Sequence, residues 1–149
     1  MTDASVLDVE GVGLHAPRVS ASFRLTSERH LLDPLRHELA IEGATSWHKG
    51  DIDPATGQSR RTHGWCLALA EGPTYSADTA LAELLLALAA RRDEILQAIR
   101  ALDLDAHMCL DVRVYASRLP AMHCTPATIG AMASYGASLN VTFTTATPD

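Results

Sequence analysis

The sequence predicts an α+β fold: a ferredoxin-like, duplicated βαβ arrangement with a mainly antiparallel sheet and helices packed on one face. Three observations predict it. Four segments alternate apolar and polar residues with the period of a half-buried strand. One long leucine-rich stretch keeps the 3.6 period of an amphipathic helix. Two segments, Ser22–Ala44 and Asp111–Ala137, read in the same order of strand, short proline-started helix and small-residue stop, with the long helix between them.

In chain order, residues 1–17 form a leader without clear periodicity, and 18–149 form a single domain. The first strand spans Val19–Leu25, with Val19, Ala21, Phe23 and Leu25 on one face. A short helix follows over Asp33–Ala40. Asp33 is its N-cap, Pro34 its first helical residue, and Gly43 its stop. Thr45–Lys49 is a short strand leading into the turn Asp53-Pro54-Ala55-Thr56-Gly57. A second firm strand spans Thr62–Ala70. Ser76 caps a helix over Ser76–Leu102, whose stripe is Leu81, Leu84, Leu85, Leu88, Ile95, Ile99 and Leu102. At 1.5 Å per residue it would run roughly 40 Å, longer than a typical domain helix, with Arg91-Arg92 as the place where a kink or break could fall. Met108–Ala116 is a strand. A helix after Pro126 turns Ile129 and Met132 inward and stops at Gly136, and Ser138–Thr145 closes the chain as a strand.

Composition narrows the function classes. Of the 149 residues 47% are hydrophobic and 20% charged, a globular balance. Net charge is −6, which argues against nucleic acid as the main partner, because displacing counterions from phosphate needs a basic field. The most apolar stretch, Ala80–Ala90, falls short of the ~20 residues of a membrane span. The acidic first ten residues do not read as a signal peptide. A cytoplasmic protein is expected, with Cys66, Cys109 and Cys124 as small buried hydrophobes.

The chain resembles DUF4279, an uncharacterised bacterial domain family. The residues that carry the resemblance begin with Phe23, Leu32-Asp33-Pro34 and Leu39-Ala40-Ile41-Glu42. They continue with Thr45, Trp47, Lys49-Gly50 and Gly64-Trp65, then the leucine-rich helix and Gly136-Ala137-Ser138-Leu139. The longer leader and the turn near Pro54 depart from the pattern. The resemblance covers about residues 18–145 and implies a compact α+β fold. It implies no activity, so no functional residue is carried over.

The segment Ser46–Trp65 concentrates Trp47, His48, Lys49, Arg60, Arg61, His63 and Trp65, the candidate binding residues. If its two strands are neighbours, these side chains share one surface. Trp and Arg are the residue types that anchor protein interfaces, by stacking and charge pairing. The bland alternative is that both tryptophans are core packers.

Other chemistries fail on spacing. Seven histidines are scattered without HxxxH, HExxH or CxxC partners, so no metal or cofactor is expected. Asp51-Ile52-Asp53 opens like a calcium loop, but Gly57 falls one position late and Thr62 stands where the bidentate Glu belongs. No GxSxG elbow is present, and Gly11-Val12-Gly13 lacks a phosphate-binding context. Asp103, Asp105 and Asp111 near His107 read as turn residues and a strand face.

The leading expectation is therefore a non-catalytic, cytoplasmic protein-binding module, of the kind an immunity protein uses to neutralise a basic toxin. The acidic net charge would steer such a partner. The alternatives are a small-molecule sensor with a pocket at Trp47, Arg61 and Trp65, and an enzyme assembled from residues of separate strands. A homodimer through edge strands or the long helix is a further alternative.

Overall fold

The computed structural model describes residues 16–115 and 118–146. Most of the expected leader, including Gly11 and Gly13, lies outside them. The elements in chain order are β1 (Arg18–Ser27), α1 (Asp33–Leu39), β2 (Thr45–Trp47), β3 (His63–Ala68), β4 (Gly72–Pro73), α2 (Ala77–Ala89), α3 (Arg92–Leu102), β5 (Asp105–Tyr115), α4 (Pro126–Ser134) and β6 (Ser138–Ala146). They form an α+β fold with one open sheet in the order β2-β3-β1-β5-β6, and β4 pairs with β1. Every pair is antiparallel except β5 with β6.

The alternation of β1 divides the domain into two faces. Val19, Ala21, Phe23 and Leu25 are buried against the helices. Register places Ala106, Met108, Leu110 and Val112 of β5 beside them, with Trp65 and Leu67 of β3 on the other side. Leu35 and Leu39 of α1, Leu81, Leu84 and Leu88 of α2, Ile95 of α3 and Met132 of α4 complete the core. Phe23 sits at its middle, edge-on to Trp65 with ring centroids 6.3 Å apart and 5.4 Å from Tyr135. Burying each such side chain contributes roughly 1.5–3 kcal/mol. Ser20, Ser22, Arg24 and Thr26 point the other way, onto a polar face beside Cys66, His107, Cys109 and Asp111.

The long helix is two helices. Arg91, at φ −117° and ψ 19°, leaves helical geometry between them. The bend lets Ile95 pack into the same core as Leu88, which a straight rod outrunning the sheet would not do. Ser76 caps α2 as its type predicts, accepting from the Thr79 N–H at 3.3 Å.

The two look-alike segments occupy unlike positions. β1 and β2 run parallel with β3 between them, whereas β5 and β6 pair directly as parallel neighbours. β3 and β5, joined through α2 and α3, are likewise separated by β1.

Three local expectations are corrected. Leu32, not Asp33, is the N-cap of α1; Asp33 is the first helical residue, and its carboxylate is engaged outside the helix. That helix turns off at Ala40, whose φ is +50°, ahead of Gly43. Ile129 of α4 is exposed, and Thr128 takes the buried position. The two-residue strand β4 has no alternation for a sequence pattern to detect. On β6, Leu139, Val141 and Phe143 share the helix-side face by register yet remain exposed, because they lie outside the helical cover. Among the described residues no helix is long and apolar enough to cross a membrane.

Candidate functional site: the β2–β3 arm

The segment between β2 and β3 is a cross-braced arm. The Gly50 N–H donates to the Arg60 carbonyl at 2.9 Å, Arg60 N–H to Asp51 at 2.7 Å, and Asp53 N–H to Gln58 at 2.8 Å. At the tip, Gly57 N–H reaches the Asp53 carbonyl at 2.7 Å, and the Asp53 carboxylate accepts from Ala55 N–H at 2.9 Å. Gly57 takes φ +72°, which a turn of this composition requires of a residue without Cβ. The arm is thus braced along its length by backbone hydrogen bonds.

Trp47 fixes the arm to the sheet. It pairs with Gly64, and its ring lies so close that a Cβ on Gly64 would fall 2.0 Å from it. Arg60 covers the other face, with Cζ 4.1 Å from the ring centroid. The indole N–H donates to the Thr62 carbonyl at 3.1 Å. Such a cation–π contact is worth about 0.5–2 kcal/mol. With one ring face on Gly64 and the other under Arg60, neither is open to a ligand.

The expected shared surface of two tryptophans does not form. Trp65 pairs with Ser46, one position out of step with Trp47, so strand alternation sends it to the helix side. It is wholly buried there against Phe23.

The remaining candidate residues divide between the faces. Arg60 and Arg61 line a cleft of about 280 Å³ on the polar face, with Arg24 and Thr26 of β1 and Asp53 of the arm. Arg60 is tied to Asp53 at 3.6 Å. His48 and His63 lie at the other side, ring centroids 6.2 Å apart, and the Lys49 N–H donates to His63 Nδ1 at 3.1 Å. The Lys49 side chain is exposed. Asp33 and His48 border an open groove of about 650 Å³ with Arg36, His37 and Asp51.

Asp33 joins α1 to the arm. It accepts from Ser46 Oγ at 2.6 Å and meets His48 Nε2 at 2.5 Å. The Ser46 hydrogen bond, then that of His48, holds the Asp33 carboxyl below the ordinary carboxylate range. The Asp33 hydrogen bond and charge push His48 above the ordinary imidazole value. A serine nucleophile needs its histidine between hydroxyl and carboxylate. Here the carboxylate stands in the middle, so the trio ties α1 to the arm and activates no hydroxyl.

Elsewhere the polar groups are equally committed. His107 engages Thr26 Oγ1 at 3.2 Å and Ser138 Oγ at 3.0 Å, not a carboxylate. Asp103 ends α3 in a left-handed conformation. Burial pushes the Cys66 thiol up, against the opposing pull of Arg24, which keeps it from acting as a thiolate. Among the described residues no three His, Cys, Asp or Glu side chains are placed to hold a metal ion. Arg24 and Asp33 are the site residues that sequence reasoning missed. Arg24 reads only as an outward strand residue, and Asp33 is masked by its plausibility as a cap.

Fold and arm define a two-layer α+β domain with a braced hairpin projecting from one sheet edge. The chain belongs to the family described as Domain of unknown function (DUF4279), whose model matches residues 17–145. No curated protein and no solved structure matches it.

The Trp47 contact makes Gly64 selective. Gly64→Ala should lower stability by about 1–3 kcal/mol, the usual cost of overpacking, and this cost should shrink in a Trp47→Ala background; a double-mutant cycle by urea denaturation measures both. A second outcome concerns pH. The His48 contribution is complete below its ordinary value, about 6.5, and is lost as pH rises through the raised folded value. The Asp33 contribution is complete above about 3.9 and is lost as pH falls through its lowered value. NMR titration should place the His48 midpoint above the ordinary value, and Asp33→Asn should bring it back down.

Proposed function

We propose that this domain is a non-catalytic module that binds another protein through the β2–β3 arm. The observation that carries this reading is the arm's order combined with its exposure. Ile52 is 63% exposed on a backbone braced from Gly50 to Arg60. A projecting apolar side chain on a rigid hairpin loses little entropy on docking. Lys49 and Arg61 bound the arm in the sequence, while Asp51 and Asp53 nearly balance its positive charge. The net charge of −6 on the whole chain supports a basic partner, whose approach that field would accelerate. Neutralisation of a basic toxin, as immunity proteins perform, is the biological form of this reading.

The clefts beside the arm support a macromolecular partner over an enclosed apolar ligand, because both are open and neither is lined mainly by apolar surface. The interleaved units β1–α1–β2 and β3–α2–α3–β5 support a ferredoxin-like reading of the strands β2-β3-β1-β5. On that reading α4 and β6 are an addition at one edge.

The test is affinity capture from the native host with wild-type and Ile52→Asp proteins. One stoichiometric basic protein should be recovered with wild type and lost with the variant. Recovery of no stoichiometric partner, or equal recovery by both, contradicts the reading.

A further inference from the structure

The cleft under the arm carries a chemistry separate from the protein contact at Ile52. Its floor is the polar face of β1, where Arg24 lies between Cys66 of β3 and His107 of β5. Its wall is the returning strand of the arm, with Arg60 and Arg61. Three guanidinium groups therefore border about 280 Å³ of open space in a chain that is acidic overall. Among the described residues one carboxylate, Asp53, shares the lining, and it is engaged with Arg60.

Arg24 is the unexplained group. Its Nε is buried and has no hydrogen-bond acceptor among the described residues. Neither Arg24 nor Arg61 forms an ion pair among them. Both nitrogens of its neighbour His107 are occupied by Thr26 and Ser138. Its other neighbour, Cys66, offers the guanidinium only a weak sulfur acceptor, and Nε is still left without one. A buried donor of a charged group without an acceptor is costly, so such groups are normally paired. An acceptor-rich ligand would supply what the chain does not. The planar fork of a guanidinium suits the oxygens of phosphate or carboxylate, and two or three such forks suit a multiply charged anion.

We propose that the cleft between β1 and the arm binds a small oxyanion, a phosphoryl or polycarboxylate group. Arg24 donates from the floor, Arg61 from the rim, and Arg60 stays stacked on Trp47 as the wall. Trp47 acts as a positioning residue, since its two ring faces are already covered.

The experiment titrates inorganic phosphate, and separately citrate, into the wild-type protein at constant ionic strength with chloride as the control. Readouts are the Arg side-chain Nε–H signals by NMR and the heat of binding by calorimetry. A saturable shift of the Arg24 Nε–H with phosphate, citrate or both, absent with chloride, is the expected result. The anion that binds more tightly tells a phosphoryl ligand from a carboxylate one. Arg24→Gln and Arg61→Gln should each weaken binding by about tenfold or more, the scale of one lost charge-assisted hydrogen bond. Arg61 is exposed, so its variant keeps the test valid if Arg24→Gln fails to fold. Ile52→Asp should bind the anion normally, which separates this site from the protein contact. No saturable shift with either anion, or undiminished binding by both arginine variants, overturns the proposal.

Discussion

A tryptophan ring lying on a glycine sets the direction of everything the domain presents outward. Trp47 reaches the sheet only because position 64 lacks a Cβ, and Arg60 then closes over the ring. These contacts hold both roots of the arm. Cross-strand hydrogen bonds carry that order toward the tip. Remove the close approach and the arm would lose its fixed angle to β1, and its ladder would open far more readily. The cleft beneath it and the aim of Ile52 both depend on that angle.

The strand β1 plays the complementary part. Its inward residues fill the core, and its outward residues make a polar floor two strands removed from the free edge of the sheet at β2. The same backbone thus supplies Phe23 to hydrophobic packing and Arg24 to a cleft. Core stability and site geometry are coupled through adjacent residues, because a shift of register by one would exchange their faces. Asp33 adds a second anchor, tying the start of α1 to His48 and Ser46.

Much of the fold was legible because apolar periodicity is local. The stripes Val19–Leu25 and Met108–Val114, and the leucines of α2, are readable from spacing alone and sit where spacing put them. The break at Arg91 was legible as a length problem, though its geometry was not. What failed was non-local. The look-alike segments gave no hint that β3 would insert between β1 and β2, since strand order depends on pairing between distant segments. Trp47 and Trp65 flank one turn in the sequence, which suggests a shared surface. The one-residue offset of their pairing, which puts them on opposite faces, is a matter of register across strands. Arg24 is invisible as a site residue because nothing in its neighbourhood announces that the segment 53–62 will border it.

Amide hydrogen exchange on wild-type and Trp47→Ala proteins tests the central claim most directly. The account predicts protected amides at Gly50, Asp53 and Arg60 in the wild type. In the variant, protection there should fall sharply while β1 and β5 keep theirs. Unchanged protection in the arm of Trp47→Ala would show that the arm holds itself, and that the ring on Gly64 does not set its position.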